Sequence, residues 1–170
     1  MRLEDAFKFI AYELEGRGYS KHDAAGATIY GITKKYYPEY YSALLGAANK
    51  EELDKTIELV YSSIFNRTKA KYLKFPLDIL YFDFAFNAGE DDAGKALQKT
   101  LNLLGAHLVV DGIVGKKTLA SYENFKNIPE IPLIYNAERR LFYIDNPQKE
   151  FRKGWLNRVS KLEEFVFLGG

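Results

Sequence analysis

The segment PLDILYFDFAFNAG, Pro76 to Gly89, is apolar on nearly every side, and this constrains the fold more than any other stretch of the chain. A run of about a dozen residues is too short to span a bilayer, which takes about 20, and Asp83 interrupts it. It therefore reads as a buried central helix, ended between Asn87 and Gly89, that the rest of the chain must cover. With 170 residues there is material for one well-buried domain, or for a catalytic lobe with a smaller lobe packed onto it.

The cover is also mainly helical. Leu3, Phe7, Ile10 and Leu14 recur at helical spacing, so an amphipathic helix is expected from about Leu3 to Glu15, stopped by Gly16 and Gly18. Gly16, Gly18, Gly26 and Gly31, with TIYGIT among them, suit a short β-ribbon turning near Asp23 to Gly26. Glu51 to Tyr72 keeps Leu53, Ile57, Val60, Tyr61 and Ile64 on one face of another helix. Asp91 or Asp92 is expected to cap the helix AGKALQKTLNLLG, followed by the DGIVG turn and the helix KKTLASYENF. Pro129 and Pro132 punctuate a linker before IYNAERRLFYI and RKGWLNRVSKLEEFVFL, two further helical stretches. The fold class is mainly α, with one small β-ribbon near the N-terminus.

Several function classes drop out. The chain has no cysteine, which excludes disulfides, thiolate zinc sites and a Cys nucleophile. A formal net charge of +1 gives no basic field of the kind nucleic-acid binding uses. Glu4, Asp5, Glu13 and Glu15 interrupt the first residues, so the chain reads as made without an export signal. His22 and His107 stand alone, without a zinc motif or a Ser-His-Asp arrangement, and DGIVG lacks alternating calcium ligands. No metal and no cofactor is expected.

What remains is carboxylate chemistry. A helix C-terminus carries partial negative charge and disfavours carboxylates by about 0.3–1 kcal/mol, yet Glu13 and Glu15 both fall in that last turn. A local rule broken without local gain marks a candidate site, and such a field favours the neutral acid that a glycosidase needs as proton donor. Asp23 is the second carboxylate. A chain leaving the helix at Glu15 and returning through a ribbon brings Asp23 and Thr28 to face the acid across a cleft. Paired carboxyl groups roughly 6.5–9.5 Å apart leave room for the water of an inverting hydrolysis. Against this stand a solvated surface acid for Glu15 and a plain turn residue for Asp23. The rings of KKYYPEYY, Tyr19, Tyr30 and Trp155 are sugar-stacking candidates, with burial in the core as the alternative.

The stretch ELEGRGYSKHDAAGATIYGIT, Glu13 to Thr33, resembles the catalytic segment of glycoside hydrolase family 108, the phage and bacterial N-acetylmuramidases also described as secretion activators. The family reads E-G-G-Y, an Asp-containing loop, then G-G-x-T-x-x-G-I-S/T. Glu15 matches its catalytic Glu, Tyr19 the aromatic after it, and Asp23 the loop acid. Gly26, Thr28, Gly31, Ile32 and Thr33 match the rest. Arg17 interrupts E-G-G-Y, and Ala24 and Ala25 stand where the family often has Pro and Gly. FDFAFNAGEDDAGKALQKTLN and DGIVGKKTL resemble the peptidoglycan-binding-like lobe of the same family, with Asn87, Gly89, Leu97, Gln98, Asp111, Gly112, Gly115 and Thr118 at patterned positions. KGWLNRV, Lys153 to Val159, is a further family-like block.

The resemblance implies a lysozyme-like fold with a catalytic lobe over residues 1–75 and a peptidoglycan-binding-like helical lobe over residues 76–170, packed as one compact unit. It implies hydrolysis of the β-1,4 bond between N-acetylmuramic acid and N-acetylglucosamine, with Glu15 as general acid, Asp23 assisting water and Thr28 beside them. Tyr19, Tyr30, Asn87 and Trp155 are the expected substrate contacts, glycan strands the expected partner, and the bacterial cell wall or periplasm the expected place of action. A non-catalytic wall-binding or secretion-regulating protein, and a lytic transglycosylase, remain the alternatives.

Overall fold

The computed structural model describes residues 2–17 and 27–169, which divide into two compact units, Met1–Ile64 and Phe65–Gly170. The described elements are mainly helical, with one two-stranded antiparallel sheet.

In the first unit, α1 runs over Leu3–Phe9 and buries Ala6 and Phe7. The expected helix to Glu15 is there, but its second half changes type. Ile10–Glu15 is π-helical, and the Gly16 N–H donates to the Ala11 carbonyl, five residues back, at 2.9 Å. Gly16, at φ +66°, then turns the chain out of the helix.

The sheet pairs β1 (Thr28–Ile29) with β2 (Ile32–Thr33), in register Thr28↔Thr33 and Ile29↔Ile32. Its turn is Tyr30–Gly31, with both residues at positive φ (48° and 70°). Two such residues match the right-handed twist of the strands they join. The turn expected near Asp23 to Gly26 lies outside the described residues; the hairpin itself turns later, within TIYGIT. α2 (Pro38–Gly46) follows, then α3 (Lys50–Arg67), which buries Ile57, Val60, Tyr61 and Ile64 at helical spacing.

The helix expected to reach Tyr72 stops at Arg67. Thr68 donates its hydroxyl to the Phe65 carbonyl (2.9 Å) and accepts from the Ala70 N–H (3.3 Å), so its side chain competes for the backbone. A short 3-10 turn, Lys69–Tyr72, completes that stretch.

In the second unit, α4 (Leu77–Ala88) is the central helix the sequence demands, with every residue from Leu77 to Ala85 buried except Asp78. α5 (Glu90–Leu103) begins before the position expected. Gly89 is its cap, and Glu90, Asp91 and Asp92 instead fill the first turn, where the helix dipole favours acids. α6 (Lys116–Phe125), α7 (Ile131–Asp145) and α8 (Arg152–Leu168) complete the unit. Pro132 belongs to the first turn of α7 and not to a linker, because proline fits a position whose N–H has no helical partner.

Asp83, fully buried in α4, pairs with Arg139 of α7 and Arg158 of α8, the Arg158 Nη2 lying 2.6 Å from Asp83 Oδ1. Burial pushes the Asp83 carboxyl up, and the two guanidiniums overcome that and hold it below the usual carboxylate range. The Arg139 guanidinium also lies over the Phe84 and Tyr143 rings, at 5.2 and 5.7 Å.

Candidate active site

Glu15 is the last residue of the π-helical stretch and is half-buried. Single π-helical turns are rare and occur often at functional sites. The stretch is fastened at two places. Tyr12 donates its hydroxyl to Asp54 Oδ1 of α3 (2.5 Å), and burial, aided by that carboxylate, raises the Tyr12 phenol above its ordinary value. Lys8 lies 2.7 Å from Glu58 and 3.7 Å from Asp54, tying α1 to the same face of α3.

The hairpin is fastened to the end of that stretch. The Tyr30 N–H donates to the Gly16 carbonyl at 3.2 Å, and the Tyr30 carbonyl accepts from the Tyr61 hydroxyl at 2.9 Å. Tyr30 is only 5% exposed, with its ring edge-on to Tyr12 at 5.4 Å. Its ring, the expected substrate contact, is therefore packed within the first unit. Packing of the aromatic ring and both backbone bonds hold Tyr30 in a left-handed conformation that a bulky residue seldom adopts.

Thr28, half-buried, stands on β1 directly across from Thr33. In KKYYPEYY, Tyr37 and Tyr40 stack at 6.1 Å, the Tyr40 hydroxyl meets Ser63 Oγ at 2.6 Å, and Tyr41 is buried. Tyr36 is the open ring of that run, 62% exposed. Tyr19, Asp23 and Gly26 lie outside the described residues.

Asn87 and Trp155 belong to the second unit and share one partner. Tyr143 donates its hydroxyl to Asn87 Oδ1 (2.6 Å), and its ring stacks on Trp155 at 5.2 Å with 23° between planes. Asn87 thus links α4 to α7, and Trp155 links α8 to the same tyrosine. The sequence pattern marks neither Tyr12 nor Tyr143, and it marks Tyr61 only as a position on an apolar helix face, because the hydroxyl of each acts through a partner at least 31 residues away.

Comparison with known proteins bears on this geometry. Residues 9–89, from the end of α1 to the cap of α5, match the family model described as Glycosyl hydrolase 108. That stretch is thus similar to the glycosyl hydrolase 108 family. Residues 92–160 match the model described as Predicted Peptidoglycan domain. The glycosyl hydrolase 108 match takes in Glu15, Thr28 and Asn87, and the second match takes in Gln98, Asp111 and Trp155. A solved structure of Brucella abortus SagA is similar over 96% of this chain and 92% of its own, with a TM-score of 0.70 and 25% identity. No curated protein matches the chain. A glycosyl hydrolase domain joined to a peptidoglycan domain makes this a lysozyme-like protein that acts on peptidoglycan. Among the described residues no helix is long and apolar enough to cross a membrane.

Proposed function

We propose that the chain is an N-acetylmuramidase, hydrolysing the β-1,4 bond between N-acetylmuramic acid and N-acetylglucosamine in peptidoglycan glycan strands at the bacterial cell wall. Glu15 donates its proton to the leaving glycosidic oxygen, Asp23 assists the attacking water, and Thr28 lines the site beside them. Tyr19 stacks on a sugar ring. Residues 1–75 carry the cleavage and residues 76–170 the hold on the wall.

The observation that carries this reading is the placement of Glu15. It ends a π-helical stretch braced on α3 through Tyr12, and the carbonyl just after it is bonded to the hairpin that carries Thr28. An acid fixed between a braced helix end and a strand is preorganised for proton transfer, because catalytic groups act only from a held geometry. Asn87 and Trp155, engaged with Tyr143, are supporting residues of the second unit in this scheme.

The test is a zymogram on purified peptidoglycan. Glu15→Gln keeps the shape of the side chain and removes the transferable proton, so a folded variant is expected to leave no cleared zone. Clearing at the wild-type rate would overturn the assignment of Glu15.

A further inference from the structure

A second candidate site lies in the second unit, within the residues that match the peptidoglycan domain. Gln98, the segment His107–Ile113 and the first turn of α6 enclose a pocket of about 370 Å³. That volume falls within the range of about 300–1,000 Å³ usual for ligand sites.

Its wall is rigidly built. Gln98, 2% exposed on α5, donates through Nε2 to Asp111 Oδ1 (2.8 Å) and to the Ile113 carbonyl (3.2 Å), and accepts the Gly112 N–H (2.8 Å). The Ile113 N–H adds a second bond to Asp111 Oδ1 at 2.9 Å. Gly112 also packs against α5 so closely that a Cβ on Gly94 would sit 2.1 Å from its carbonyl oxygen. These bonds commit the Asp111 carboxylate to the loop and hold it below its ordinary range, the Gln98 donation first among the causes.

Lys116 and Lys117, at the rim, form no ion pair among the described residues. Val109 and Ile113, 77% and 70% exposed, present bare aliphatic surface beside them. Among the described residues, no phenol, phenyl or indole ring lines the pocket. A glycan chain is uncharged along its sugars and is best held by flat aromatic surfaces. Two unpaired ammonium groups beside aliphatic side chains suit a different ligand: a short peptide of small residues with free carboxylates.

We propose that this pocket binds the stem peptide of peptidoglycan, with Lys116 and Lys117 taking its carboxylates and Leu108, Val109 and Ile113 its aliphatic side chains. The proposal rests on the reading that the chain acts on peptidoglycan, and adds that the second unit grips the peptide while the first cuts the glycan.

The test titrates the full chain with the free tetrapeptide L-Ala-γ-D-Glu-meso-diaminopimelate-D-Ala, followed by calorimetry and by amide shifts, with clearing of sacculi measured on the same preparation. Saturable binding is expected, with shifts concentrated at residues 107–118. The charge-reversed variant Lys116→Glu/Lys117→Glu, whose acids suit the first turn of a helix, is expected to bind at least tenfold more weakly. Lys116→Arg/Lys117→Arg is expected to bind like the wild type. Unchanged affinity in the charge-reversed variant, or shifts mapped elsewhere, would overturn the proposal. Clearing without peptide binding removes the pocket alone, whereas peptide binding without clearing supports the pocket and removes the muramidase reading.

Discussion

The backbone N–H of Tyr30 and the carbonyl of Gly16 are hydrogen-bonded at 3.2 Å, so the hairpin turn is tied to the residue that immediately follows Glu15. Because the Tyr30 carbonyl is held in turn by the Tyr61 hydroxyl, one residue joins the candidate acid, the hairpin and α3.

This tie gives the first prediction. Tyr61→Phe keeps the ring that packs at 5.8 Å against Phe7 but leaves the buried Tyr30 carbonyl without its donor. The expected loss is about 1–3 kcal/mol of stability, the desolvation cost of an unpaired buried acceptor. Wall clearing at a temperature where the variant is folded should also fall, since the hairpin carrying Thr28 is held less firmly. Thermal melting beside a zymogram checks both, and a melting temperature equal to that of the wild type would refute the clamp.

The ion cluster of the second unit gives another. Asp83→Asn keeps the shape of α4 but removes the buried carboxylate that the Arg139 and Arg158 guanidiniums share. Breaking a buried pair from one side costs about 3–5 kcal/mol, and replacing all partners by apolar residues is often neutral or stabilising. The triple variant Asp83→Leu/Arg139→Met/Arg158→Met is therefore expected to melt well above Asp83→Asn. Urea denaturation of the two variants decides it, the single variant being the less stable.

The pH dependence of stability follows from Asp78. Burial pushes its carboxyl from 3.8 up to about 6, so the folded chain binds this proton more tightly than the unfolded chain does. The stability linked to this proton is fully present below pH 3.8 and is lost as pH rises through about 6. Asp78→Asn keeps the acceptor that receives the Ile79 N–H (2.8 Å) and has no charge to bury. It is expected to gain roughly 1–2 kcal/mol at neutral pH over the wild type and to lose the slope between about pH 4 and 6. Denaturant midpoints measured across that range test the sign, and a variant less stable at pH 7 would contradict it.

How much of this was legible in the sequence depends on how far each residue's partner lies along the chain. α4 could be read directly, because a run apolar on all sides has only the interior to occupy. The helix ending at Glu15 was also visible, but its π-helical half was not: burial of Ile10 and Ala11 suits either winding. The turn expected near Asp23 to Gly26 falls outside the described residues, and the Tyr30–Gly31 turn is hard to read locally because it lacks the Asn or Asp that usually announces such a turn; the Tyr61 bond supplies from a distance what the local sequence does not. Asp83 appeared only as a break in an apolar run. Its meaning depends on Arg139 and Arg158, 56 and 75 residues away. Asn87 stood out as a patterned position, while the Tyr143 hydroxyl that occupies it lies 56 residues further on.

The last prediction separates hydrolysis from its closest chemical rival through Asp23. If Asp23 assists water, the water oxygen bonds to the anomeric carbon as the glycosidic bond breaks, and the products carry ordinary reducing ends. In the transglycosylase reaction the sugar's own hydroxyl attacks instead, leaving 1,6-anhydromuramic ends lighter by one water. Mass spectrometry of a wild-type digest is expected to show reducing ends. Asparagine cannot accept the proton from water, so Asp23→Asn should slow cleavage by roughly 10²–10⁴-fold, the usual contribution of a general base. A loss under about tenfold would reduce Asp23 to a turn residue, since a turn aspartate loses little as asparagine. Anhydro products from the wild type would overturn the hydrolytic assignment while leaving Glu15 as the acid, because both reactions need a proton on the leaving oxygen.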